Sequence, residues 1–199
     1  MIETVVDEWP RKATMYHEPW PYVVIDNFLP RGEYLTMMEN CMWLHSGNPE
    51  QFDRAYEDNV VRIPLKWNPL EEHDMHLHLA SFTERRNFSS VKDLKVLAQY
   101  VRTKPNFTHI RHDEAPFKIL STVIYLAPDN NNGTRIYSSE TSNDKIELEW
   151  KPNRAVIFAG RDNVTWHDYT SSWNDRYTLN HFLVDPAVVE NETIKGMII

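Results

Sequence analysis

Two hydrophobic periodicities share the chain. Between Arg31 and His45 the apolar residues Leu35, Met38, Cys41 and Met42 fall at helical spacing, which predicts a helix with one stripe turned toward a core. Met75, Leu79 and Phe82 predict a second helix over about 71–87, and Val91, Leu94, Leu97 and Val101 predict a third from Ser90. Ser90 with Asp93 resembles a capping box at its start. The N-terminal half therefore reads as mainly helical, interrupted by a short β-branched strand in "PYVVIDNFLP", whose flanking prolines interrupt ladder hydrogen bonding.

After Pro105 the period changes. Short β-branched and aromatic runs separated by turn residues predict strands near 107–112, 117–126, 134–138, 145–150, 154–159, 164–169 and 176–184. "PDNNNG" is a turn by composition. Strands following a helical half predict an α+β fold: an antiparallel double sheet of the jelly-roll kind, with helices on one outer face. The reading is one domain over 1–199, with a helical half over about 1–104 and a core over about 105–185 that also takes the strand near 21–29.

Composition narrows the function. A chain of 199 residues can bury one sizeable core, and 41% hydrophobic with 25% charged residues is ordinary for a globular protein. The net charge of -8 argues against nonspecific binding to nucleic acid or to a membrane surface, both of which need a basic patch. One cysteine, Cys41, excludes an internal disulfide and a cysteine-rich zinc module, so histidine and carboxylate must supply any metal site. No apolar run reaches signal-peptide character or the roughly 20 residues of a membrane span, and a cytoplasmic location is expected.

The chemistry concentrates in "RHDEAPFKILSTVIYL", where charged residues crowd the head of an apolar strand. His112 and Glu114 are separated by one residue, so on an extended strand they share a face, and Asp113 points the other way. His167 stands among strand-formers in "VTWHDY". Two histidines and one carboxylate make a facial metal triad that leaves the opposite positions open. Arg176 opens the strand "RYTLNHFLV", and an inward guanidinium there needs an anion such as a dicarboxylate. The remaining histidines are set aside. His73, His76 and His78 suit a polar helix face, while strand alternation predicts His109 opposite His112, and His181 opposite Arg176, both outside the pocket.

The order "RHDEAPFKILSTVIYLAP", "NNGTRIY" and "WKPNRAVIFAGRDNVTWHDYTSSWNDRYTLNHFLV", preceded by "PYVVIDNFLP", resembles the Fe(II)/2-oxoglutarate-dependent oxygenases. It is nearest to the prolyl-hydroxylase-like branch and its small bacterial and phage members. The resemblance implies that His112, Glu114 and His167 bind Fe(II) and that Arg176 holds the distal carboxylate of 2-oxoglutarate, with a hydroxyl from Tyr125 and a second donor in Thr178. It implies hydroxylation of an unactivated C–H bond of a small-molecule or peptide substrate, using O2 and releasing succinate and CO2. The family's carboxylate is normally Asp, whereas the residue in register here is Glu114, and a bulge at the strand end would substitute Asp113. Two other classes stand beside this one: a catalytically silent jelly-roll binding domain, and a cupin-like metalloprotein with other chemistry, which would give Arg176 no reason to be inside.

Overall fold

The computed structural model describes residues 3–6 (backbone only), 13–46, 59–71, 94–113 and 116–199. Twelve strands and one long helix carry the fold among them. In chain order these are β1 (Glu3–Val6), β2 (Ala13–Tyr16), β3 (Tyr22–Ile25), α1 (Arg31–Ser46), β4 (Val60–Pro64), β5 (Lys95–Thr103), β6 (Thr108–His112), β7 (Lys118–Ala127), β8 (Thr134–Tyr137), β9 (Lys145–Glu147), β10 (Ala155–Ala159), β11 (His167–Thr170) and β12 (Arg176–Val184), followed by a four-residue helix α2 (Glu192–Lys195). An eight-stranded sheet runs β1-β2-β3-β10-β7-β12-β5-β4, and a four-stranded sheet runs β6-β11-β8-β9. Every strand pair is antiparallel.

The large sheet is buried on both faces because its central strands are apolar at both parities. Tyr22, Tyr125, Val156 and Phe158 face the small sheet, where they pack with Ile136, Leu148 and Trp150. The alternate residues Val23, Ile25, Ile124, Leu126 and Ile157 turn the other way, into a cluster with Cys41 and with the partly buried Tyr34, Met37, Met38 and Leu44. Each fully buried side chain of this size stabilises by about 1.5–3 kcal/mol. Helix α1 contacts β5, β7 and β12, and the Tyr34 hydroxyl donates to the Leu126 carbonyl at 2.5 Å.

Three expectations about the N-terminal half change. The segment read as a third helix is instead β5, since Lys95–Thr103 pairs along its whole length with β12. Residues 96–101 are all buried there, and a strand buried on both faces shows a continuous apolar run in which helical spacing occurs by chance. The stripe of α1 is rotated: Leu35 and Met42 are exposed, while Cys41 is fully buried with Tyr34, Met37 and Leu44 beside it. The described residues are therefore mostly β, and strands β1 to β5 belong to the large sheet rather than to a helical half. The second predicted helix beyond Glu71, with His73, His76 and His78, lies outside the described residues, as does the cap predicted for the third, Ser90 with Asp93. No helix among the described residues is long and apolar enough to cross a membrane.

Buried His45 makes stability depend on pH. His45, in the last turn of α1, is 8% exposed and its ring packs 5.9 Å from that of Tyr177. Burial pushes its pKa from 6.5 down to about 4, assisted by Arg102 and opposed by the Tyr100 backbone and Asp175. Because the folded value lies below the unfolded one, the unfolded chain binds the extra proton. Stability is then complete above pH 6.5 and falls as pH drops toward 4, by on the order of 3 kcal/mol. In denaturant titrations His45→Gln should flatten the slope between pH 6.5 and 4, and an unchanged slope would show that His45 is not its source.

Candidate active site

Strand pairing brings the two predicted ligand histidines together. His112 lies opposite His167 in the ladder between β6 and β11, and their ring centroids are 4.3 Å apart. Each ring is oriented by a main-chain carbonyl: His112 Nδ1 donates to Ile110 O at 2.8 Å, and His167 Nδ1 donates to Thr165 O at 2.7 Å. With the proton on Nδ1, Nε2 carries the lone pair that a metal uses. Phe158 of the large sheet packs edge-on against His167 at 5.1 Å. The other face of β11 is fixed by Asp168, which accepts from Arg135 Nε at 2.5 Å and from the Tyr137 hydroxyl.

Glu114 lies outside the described residues. Asp113 is described, and its Oδ2 accepts the Asn163 N–H at 2.6 Å. Among the described residues no set of three metal-ligating side chains converges, so the histidine pair is the part of the predicted triad that is seen.

Arg176 occupies the same pocket. Its side chain is 2% exposed, and Nε has no hydrogen-bond partner. Among the described residues no carboxylate pairs with it. Three aromatic rings surround the guanidinium instead, with Cζ 4.2 Å from the centroid of Tyr169, 5.2 Å from Trp150 and 5.4 Å from Tyr125. Burial holds its pKa below the usual arginine range, while Tyr169 and Tyr125 act in the opposite direction. The other two predicted donors already have partners. The Tyr125 hydroxyl donates to Thr134 Oγ1 at 3.0 Å and accepts the Thr134 N–H at 2.9 Å, and Thr178 Oγ1 donates to Asn180 Oδ1 at 2.9 Å. Thr134 itself lines the pocket. It follows Gly133, where any Cβ would overlap the Leu148 carbonyl, so glycine is required for β8 to close on its neighbour.

The pocket has a volume of about 470 Å³ and runs between the sheets past His112, His167 and Arg176. Contrary to the alternation argument, His109 lines it as well. Tyr169 pairs with His109 and His167 with His112, so β6 spends one more residue than β11 across this interval. That bulge returns His109 to the ligand face. His109 stacks on Tyr169 at 5.1 Å, contacts Arg62 through Nε2 at 3.4 Å, and is pushed down to about 4 by burial. His181 follows the expectation, with Nε2 bonded to Asn68 at 3.0 Å and no place in the lining. A larger groove of about 990 Å³ near the start of α1 contains Arg154 and Asp26, which bond each other at 2.5 Å.

Sequence reasoning missed Arg62, His109, Tyr169 and Trp150. Only the bulge between paired strands could have signalled His109, and Trp150 and Tyr169 read as ordinary core aromatics.

No protein-family model matches the chain, and no curated protein sequence is significantly similar to it. Solved structures are similar. A prolyl hydroxylase from Trichoplax adhaerens, in complex with a hypoxia inducible factor oxygen degradation domain peptide fragment, superposes with a TM-score of 0.60 at 14% identity, covering 88% of this chain and 86% of that one. A prolyl-4-hydroxylase from Pseudomonas putida gives 0.57 at 15%, covering 82% and 91%. The viral collagen prolyl hydroxylase of Paramecium Bursaria Chlorella virus-1, as its 2-oxoglutarate complex, gives 0.56 at 13%, covering 82% and 94%. Two stacked antiparallel sheets with this strand order, holding a histidine pair and a buried arginine between them, thus have the fold of the prolyl-hydroxylase-like 2-oxoglutarate/Fe(II) oxygenases.

Proposed function

We propose that the protein is an Fe(II)- and 2-oxoglutarate-dependent dioxygenase that hydroxylates an unactivated C–H bond of a small-molecule or peptide substrate. The observation that carries this reading is Arg176, a fully buried cation with an unsatisfied Nε in the pocket that also holds the His112 and His167 rings. A buried guanidinium without an anion costs several kcal/mol, so the pocket is built around an anionic ligand. The donor set fits the metal: two imidazoles bonded through Nδ1 to main-chain carbonyls, and Glu114 as the carboxylate, because Asp113 is engaged with Asn163.

Bound Fe(II) and 2-oxoglutarate supply the oxidising chemistry, in which O2 is consumed, 2-oxoglutarate becomes succinate and CO2, and a C–H bond becomes C–OH. The chain's part is binding and orientation. Arg176 holds the distal carboxylate through a two-point pair, and Tyr169, Trp150 and Tyr125 keep the guanidinium in one orientation. Tyr125 acts on that carboxylate through Thr134, whose hydroxyl accepts a hydrogen bond from the Tyr125 hydroxyl and is left to donate its own hydrogen into the pocket. The carbonyls of Ile110 and Thr165 prevent the two histidines from changing tautomer.

The test is anaerobic addition of Fe(II) and 2-oxoglutarate, followed by visible absorption. A weak charge-transfer band that needs both components is expected. Its absence at saturating iron, in folded protein, removes the oxygenase reading and leaves a silent binding domain. In the same assay Glu114→Ala should lose iron and Asp113→Ala should keep it. The reverse pattern would move the carboxylate to Asp113.

A further inference from the structure

The pocket is longer than a five-carbon diacid. Arg176, Asn180 and Phe182 line it from one face of β12, and an extended strand covers roughly 20 Å between the first and last of these. A diacid held at Arg176 and reaching a metal on His112 and His167 fills the inner part only. Beyond it, Leu97, Phe182 and Val184 form a separate buried cluster with the partly buried Phe117, Ile194, Met197 and Ile198. Leu97 and Phe182 are directly paired across β5 and β12. Ile194 and Met197, from the C-terminal segment, line the pocket with them.

That segment is held in place. The Asn191 side chain caps α2 by accepting from Thr193 N at 2.9 Å and Ile194 N at 3.2 Å, and Lys66 Nζ donates to Gly196 O at 3.0 Å. Strand β4 pairs with β5 only between Thr103 and Gln99, and Ile199 takes the edge beyond, exchanging main-chain hydrogen bonds of 3.0 and 2.8 Å with Val96. Met197 lies in between, with Sδ 4.0 Å from Gln99 Nε2.

We propose that α2 and Met197 form the selecting wall of a substrate subsite for an uncharged, apolar group, with Ile194 and Met197 as specificity-determining residues. The inference rests on the proposed function for the inner half of the pocket. A charged group entering this chamber would give up water for Leu97, Phe117, Phe182, Ile194 and Met197, with the uncharged polar side chains of Gln99, Asn180, Asn191 and Thr193 in the same lining, whereas an apolar group completes the cluster. The nearby ammonium of Lys118 lies 4.0 Å from the centroid of the Phe182 ring, at the chamber's edge. An anion drawn to Lys118 is the competing outcome.

The experiment uses the full chain with Mn(II) in place of iron and saturating 2-oxoglutarate, which keeps Arg176 engaged. Paramagnetic broadening is read by fluorine NMR for two probes, para-fluorobenzyl alcohol and trifluoroacetate. The alcohol should broaden more than the anion. Ile194→Trp and Met197→Trp, which fill the chamber, should each cut that excess by about threefold or more, with Mn(II) and 2-oxoglutarate affinities on the same samples unchanged. Met197→Glu should do the same by charge, and serves if a tryptophan variant does not fold. Broadening of the anion equal to or above that of the alcohol, or an excess that survives the wall variants, overturns the subsite while the proposed function stands. Failure of the parent to bind Mn(II) or 2-oxoglutarate overturns both.

Discussion

His167→Ala is expected to abolish Fe(II) binding in a protein that stays folded. Three protein ligands are proposed for the metal, and the loss of one leaves His112 and Glu114, too few to hold a labile divalent ion against water. Among the described residues the one further histidine lining the pocket, His109, is engaged with Arg62 and with the Ile110 carbonyl. The fold should survive because His167 sits near one end of the small sheet, whose ladder to β8 is made by main-chain groups. The loss of its ring contact with Phe158 should destabilise by about 0.5–1.5 kcal/mol. Anaerobic titration with Fe(II), beside thermal unfolding, measures both quantities. Stoichiometric iron in the folded variant would mean that the histidine pair is structural and that the metal assignment is wrong.

Arg176→Ala separates the co-substrate from the metal. Iron binding should persist, and 2-oxoglutarate should bind at least about 2 kcal/mol more weakly, roughly thirtyfold, as when one partner of a desolvated charge pair is truncated. Arg176→Lys should recover only part of this, since an ammonium keeps the charge and loses the planar two-point fork. A second readout follows from the aromatic surroundings. Without co-substrate the parent keeps a buried cation among Tyr169, Trp150 and Tyr125, so Arg176→Met should match or exceed the parent's stability and lose the stabilisation that 2-oxoglutarate adds. Undiminished 2-oxoglutarate binding by Arg176→Ala would sink the assignment and direct attention to Lys118, which also lines the pocket.

The C-terminal half was legible because its strands keep a local signal. Runs such as Lys118–Ala127 and Arg176–Val184 are β-branched, short and bounded by turn residues. The N-terminal half was misread where burial erased that signal. Lys95–Thr103 is buried on both faces, with Val96, Ala98 and Tyr100 packed in the cluster that includes Cys41 of α1, and Leu97 in the cluster with Ile194 and Met197, and an apolar run covered on both sides carries no period-2 signal to set it apart from a helix. Helix α1 was found, and of its predicted stripe Met38 and Cys41 face the core while Leu35 and Met42 do not, since those two are as apolar as the Tyr34 and Met37 that turn inward.

By itself, the sequence supplied the candidate residue types and their order, His112 with a carboxylate after it, His167 and the late Arg176, and the strands β6, β11 and β12 on which His112, His167 and Arg176 stand. Those are properties of local spacing and residue chemistry. Tertiary structure decided which of these side chains share one space. The register of β6 against β11 set His112 beside His167, and its one-residue bulge brought in His109. The aromatic ring set around Arg176 draws on β7, β11 and the segment after β9, and the outer wall comes from the C-terminal segment laid along the edge of β5. Contacts of this kind depend on strand register and sheet stacking, which arise between distant segments and leave no periodicity in either one.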